Sequence, residues 1–153
     1  MALQPPTDRP ELPQFPGHCI RRLQQAAVAV FMQDAEASAI TPVQFAVLYT
    51  LADHPGIDQR TLAREVHFDT STIGSVVDRM EARGLLTRSL SDHDRRVRLL
   101  HLTDDGAQLL ERMVPSVLRV QDRILAPLTP AEREEFMRLA QRVVAHHGAS
   151  GGD

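Results

Sequence analysis

The sequence has no tryptophan, no lysine and one cysteine, Cys19. A lone cysteine excludes an internal disulfide framework and fits a reducing cytoplasm. Aromatic residues make up 4% of the chain, so the 42% that is hydrophobic is mostly aliphatic. No apolar run approaches the ~20 residues that a membrane-crossing helix needs. The opening MALQPPTDRPELPQFPG lacks the basic-then-apolar order of a secretory signal. There is no glycine-rich phosphate loop, nucleophile elbow or metal-protease helix, which argues against an enzyme and against a cofactor. The seven histidines form no zinc spacing apart from the adjacent His146 and His147, so no metal site is expected.

A strong excess of positive charge is also missing, since the net charge is −3. The average hides a local difference. Residues 57–102 carry eight Arg against seven Asp or Glu, and the remainder carries nine against thirteen. Between Arg83 and Arg98 five Arg face two Asp, a small basic patch on an acidic body. Charge alone does not point to nucleic acid. A chain of 153 residues suits one compact domain or one protomer of an obligate dimer.

Five prolines in residues 1–16 predict an extended or disordered arm. Ile20, Leu23, Ala27, Val30 and Phe31 then form a helical stripe from Gly17 to about Ala37. Three helix starts are legible from their caps. Thr41-Pro42-Val43-Gln44 and Thr129-Pro130-Ala131-Glu132 are capping boxes with proline at the first helical position. Thr103-Asp104-Asp105 places acids at the positive end of a third helix. Pro115 inside that helix predicts a kink. The last helix is expected from Pro130 to about His146, carrying Phe136, Leu139, Val143 and Val144.

Between these come two short helices, one capped by Asp58 and one running from about Thr70 to Arg83. The brief turn His67-Phe68-Asp69 joins them as a helix-turn-helix. After Gly84, Leu85–Leu90 can be a strand and Val97–Leu102 its returning partner around the polar turn Ser91–Arg96, a β-hairpin wing. The expected fold is mainly α with a small β-wing, a winged helix-turn-helix of about six helices. The segments read as an arm (1–16), an N-terminal dimerisation helix (17–40), a DNA-binding region (41–102), C-terminal dimerisation helices (103–147) and a flexible tail (148–153).

That order of elements, with three motifs, resembles the MarR (multiple antibiotic resistance regulator) family. The motifs are Asp69–Ile73 with Val77–Leu85, then Asp92-His93-Asp94-Arg95-Arg96, then Leu102–Gly106. The resemblance implies an intertwined homodimer that reads a pseudo-palindromic operator in double-stranded DNA, commonly as a repressor released by a small aromatic carboxylate. The start Pro16–Arg22 resembles the branch that represses nicotinate degradation.

In a helix-turn-helix the second helix enters the major groove N-terminus first. With Ile73, Val77 and Met80 inward, Thr70, Ser71, Ser75, Asp78 and Arg79 face out, with Thr72 and Gly74 towards one side; Thr72 joins the DNA-contacting set, and Gly74 would admit close approach to the groove. The DNA-contacting set also takes in Arg60 on the preceding helix. At the wing tip Arg95 and Arg96 suit a narrow minor groove; the resemblance implies Arg96 enters it, braced by Asp94. The plain alternatives are ordinary exposed helix residues and a solvated charged turn.

On the first helix His18, Arg22 and Gln25 share a face suited to a carboxylate, with Phe45 and Tyr49 as ring-packing candidates. Equally, His18 and Arg22 could pair with acids across a dimer while Phe45 is core. Two other readings stay open: a thiol redox sensor using Cys19, whose neighbours His18, Arg21 and Arg22 would favour thiolate, and a winged-helix interaction module without DNA.

Overall fold

The computed structural model describes residues 9–34 and 39–148. The proline-rich arm is not wholly extended. Leu12–Gln14 forms one 3-10 turn because Glu11 and Gln14 cap each other reciprocally. Residues 1–8 of that arm lie outside the described residues, as do residues 149–153 of the expected tail. Helix α1 (Pro16–Gln33) follows, then α2 (Pro42–Asp53), whose Thr41 hydroxyl accepts from the Gln44 amide while Gln44 caps Thr41 in return.

Strand β1 (Ile57–Asp58) leads into α3 (Gln59–Glu65). Helix α4 (Thr70–Ala82) comes after a turn in which His67 takes a left-handed φ of 56°. Strands β2 (Leu86–Leu90) and β3 (Arg98–Leu102) make the hairpin, with Leu86 opposite Leu102 and Leu90 opposite Arg98. The hairpin has a third member that the sequence reading lacked: β1 pairs antiparallel with β3, Ile57 against Leu100, so the sheet runs β1-β3-β2. Helices α5 (Asp104–Ile124) and α6 (Pro130–Gly148) complete the chain. Pro115 sits inside α5 without ending it.

One core forms where α2, α3, α4, the sheet and α5 meet. Leu48, Leu51, Leu62, Ile73, Val77, Met80, Leu86, Leu100, Met113 and Val120 are all essentially solvent-free. Each contributes roughly 1.5–3 kcal/mol by leaving water. The inward residues of α4 are those the sequence period selects, so its opposite face is presented outward. The two ends of the chain behave differently. Phe31 is the one buried residue of α1, and α6 has none among the described residues, although both helices carry large apolar side chains.

Candidate nucleic-acid interface

Local capping sets the geometry of the two short helices. Asp58 accepts from the Thr61 amide at 2.9 Å and the Thr61 hydroxyl at 2.6 Å; the hydroxyl bond chiefly holds its carboxyl below the ordinary value, against partial burial. Asp69 repeats the arrangement on Thr72, with the amide at 2.8 Å, and its carboxyl is lowered for the same reason. The Thr72 hydroxyl proton is thereby committed to Asp69. Of the expected groove-facing residues, Thr72 has only its acceptor lone pairs left to offer.

Thr70, Ser71, Thr72, Ser75 and Arg79 are all exposed on α4. Arg79 Nε donates to the Ser75 carbonyl at 3.2 Å, which leaves the outer guanidinium edge free. Gly74 does not face outward. It is half-buried, and a Cβ there would stand 3.3 Å from the Gln59 amide of α3. Four residues beyond Thr70, its position on the turn points at the neighbouring helix, so the small residue serves helix–helix packing.

At the wing tip Asp94 holds Arg96 three ways. One carboxylate oxygen accepts the Arg96 backbone N–H at 2.9 Å and its Nε at 3.1 Å; the other accepts Nη2 at 3.2 Å. The Arg96 side chain is nevertheless 90% exposed. The side-chain bonds from Arg96, followed by its backbone N–H, keep the Asp94 carboxyl below the usual carboxylate range. Arg95 beside it is exposed with no ion-pair partner among the described residues.

A feature that spacing did not reveal ties the wing to α4. Arg88 of β2 donates Nη1 to Glu81 at 2.6 Å and Nη2 to Asp78, and lies 3.5 Å from the Gln59 amide oxygen. Its side chain is 17% exposed. Burial works against its charge, but the bonds to Asp78 and Glu81 outweigh that and raise its pKa. Asp78 is therefore held toward the wing. Removing the cation leaves two carboxylates one helical turn apart without a partner. Arg88→Met is expected to lower stability by about 1–2 kcal/mol, less than a fully buried pair because both acids reach solvent. A shift in the urea midpoint without a change in slope checks this.

Between α3, the start of α4 and the wing lies an open cleft of about 920 Å³, bordered by both Thr70 and Arg96. Arg60, expected at a DNA contact, lines it; so do Arg64 and Arg98, which the sequence reading passed over. Their signal was available: Arg60 and Arg64 are one helical turn apart, and Arg96 and Arg98 are two residues apart, the spacing that puts extended residues on one face.

The expected effector residues fall into two separate groups. On α1, Arg21 bridges His18 at 3.1 Å and Gln25 at 3.3 Å, taking the place foreseen for Arg22, which is exposed. On α2, half-buried Phe45 meets exposed Tyr49 in a tilted ring contact, with centroids 5.7 Å apart and planes at 37°. None of these five lines the cleft described above. Cys19 is an exposed free thiol. Among the described residues no group of three His, Cys, Asp or Glu could hold a metal, and no helix is long and apolar enough to cross a membrane.

The MarR family model matches residues 40–97, from the start of α2 to the wing tip. The chain is 32% identical over 128 residues to the HTH-type transcriptional repressor NicR of Pseudomonas putida, covering 84% of this chain and 81% of that one. The chain belongs to the MarR family. Solved MarR-type regulators superimpose over nearly all of it. PcaV of Streptomyces coelicolor, solved with its natural ligand, shares 38% identity at a TM-score of 0.83, covering 91% of this chain and 98% of that one. BpsR of Bordetella bronchiseptica, whose DNA binding is regulated by 6-hydroxynicotinic acid, shares 32% at 0.84, covering 95% and 99%. As a MarR protein the chain is a winged-helix transcriptional regulator and not an enzyme. The MarR match includes the capped α3 and α4, Arg88 and the Asp94–Arg96 tip.

Proposed function

We propose that this MarR protein is a homodimeric repressor, released from a pseudo-palindromic operator by a small aromatic carboxylate. The observation that carries the DNA reading is that one cleft is bordered by the start of α4 and by the outward Arg96 of the wing. A helix and a charged finger so placed can enter adjacent major and minor grooves. Thr70, Ser71, Ser75 and Arg79 then meet base edges or phosphates, with Thr72 an acceptor, and Arg95 and Arg96 follow the minor groove.

Dimerisation is supported by the two ends of the chain. Ile20 and Leu23 of α1, Leu118 of α5, and Leu139, Val143 and Val144 of α6 are large apolar residues exposed in one protomer. Val144 is 66% exposed. Large apolar side chains left in water on α1 and α6, which bury almost nothing of their own, are what an obligate partner covers. Residues 17–40 and 103–147 form the dimer and residues 41–102 form the reading head; such a regulator works in the cytoplasm.

The effector reading rests on Arg21 with His18 and Gln25, together with Phe45, Tyr49 and Arg22, and on the ligands of PcaV and BpsR. A ligand releases DNA only through unequal affinity for the bound and free head spacings. The test combines light scattering, gel shift on the protein's own promoter, and calorimetry with nicotinate-type and salicylate-type acids. The expected result is a dimer that shifts its promoter and takes up one class of acid, which lifts the shift. A monomer, or no heat from either class, overturns the respective part.

A further inference from the structure

We propose that the cleft between α3 and the wing seats the sugar–phosphate backbone of one DNA strand, with Arg64 and Arg98 as phosphate ligands beside Arg60 and Arg96. The proposal rests on the DNA reading above and adds two residues to it. Four guanidiniums line this cleft against two carboxylates, Asp58 and Asp69. Both carboxylates are engaged as helix caps, accepting N–H and hydroxyl protons from Thr61 and Thr72. Arg60, Arg64 and Arg98 have no carboxylate partner among the described residues, and Arg96 is paired only through one edge, to Asp94.

Converging like charges repel, and a chain of net charge −3 has acids to spare for pairing them. Folding therefore gains nothing from gathering cations here, whereas a polyanion does. The apolar side chains along the wall, Phe68 and Val97, suit the deoxyribose between phosphates. The alternative occupant, a free aromatic acid, would need an enclosed cavity. This cleft is open, and its unpaired charges are all cationic. Its position also fits a strand, because a backbone passing from a groove read by α4 to one read by the wing must cross between them.

The test measures binding of the full chain to promoter DNA and to a random duplex across a salt titration, for wild type, Arg64→Gln, Arg98→Gln and the double variant. Each single variant removes one phosphate contact from each protomer of the dimer, so the slope of log K against log[salt] should flatten by about 1.8, which at 0.1 M salt is about a sixtyfold loss. The loss should be equal on promoter and random DNA, since backbone contacts carry no sequence information. Unfolding midpoints near the wild-type value keep the comparison valid, and Arg→Lys variants restore affinity in the same fold. Unchanged slopes overturn the proposal. A loss confined to the promoter also overturns it, pointing to base contact. So does saturable binding of benzoate that the double variant abolishes while its DNA slope stays wild type. If wild type fails to prefer its promoter, the repressor reading falls; the random-duplex arm still decides the cleft.

Discussion

Gly106→Ala should destabilise the fold by about 3 kcal/mol or more, opposite in sign to what helix propensity predicts. Gly106 is the third residue of α5, where alanine would ordinarily gain about 1 kcal/mol over glycine. A Cβ at this position, however, would lie 2.0 Å from the Leu85 carbonyl oxygen and 3.0 Å from its carbon. That atom is backbone and cannot swing aside. The Leu85 carbonyl accepts the Thr103 N–H at 3.2 Å, and the Leu85 N–H is bonded to Met80 at 3.0 Å. Thr103 adds a second tie, donating its hydroxyl to the Gly84 carbonyl at 2.6 Å while accepting the Gly106 N–H at 3.0 Å. Relief would pull α5 away from the point where α4 ends and the wing begins, opening the contact of helix, turn and strand. For a chain of this size the loss is about 10 °C in Tm. Gly17→Ala, with nothing within 4 Å of its Cβ, should be neutral or slightly stabilising. A Gly106→Ala protein that melts at or above the wild-type temperature would refute the close-approach explanation.

Which parts of this design are legible in the sequence follows from the range of the interactions that build them. Caps are local. Thr41, Asp58, Asp69, Thr103 and Thr129 all bond to residues three positions on, so spacing alone exposes them. The hairpin is nearly as local, its strands separated by one polar turn. Strand β1 is another matter. Two residues pair with a strand more than forty positions away, and nothing in Ile57-Asp58 distinguishes a strand from the run-up to a helix cap. Arg88 shows a second limit. It can be recognised as a strand residue, but its partners Asp78 and Glu81 are chosen by the angle at which α4 meets β2. On α1 the ambiguity lies within the helix itself. Arg21 and Arg22 both stand three or four residues from His18 and from Gln25, and periodicity cannot say which rotamer bridges them. Gly106 is visible as part of a motif, whereas the carbonyl that requires it is tertiary.

The wing tip gives the largest expected effect on DNA binding. Arg96→Ala should weaken operator binding by about tenfold per wing, thus about a hundredfold in a dimer that engages both, and should flatten the salt dependence. The reason lies in what Asp94 does. An arginine that is 90% exposed would ordinarily sample many rotamers, and ordering it on DNA would cost up to roughly 2 kcal/mol. Asp94 binds Nε, Nη2 and the backbone N–H of Arg96 at once, so side chain and turn are fixed before any partner arrives, with one guanidinium edge left outward. This makes the sign of a second substitution informative. By charge alone, removing the Asp94 carboxylate from a DNA-facing tip should tighten binding, because one negative charge disappears. If holding Arg96 in place dominates, Asp94→Ala should weaken binding despite that gain, by less than Arg96→Ala, since the cation remains. Combined with Arg96→Ala, Asp94→Ala should no longer weaken binding at all, because there is nothing left to orient. Fluorescence anisotropy on the promoter duplex at two salt concentrations measures all four proteins. Tighter binding by Asp94→Ala would reduce Asp94 to a bystander and leave Arg96 acting as a free charge.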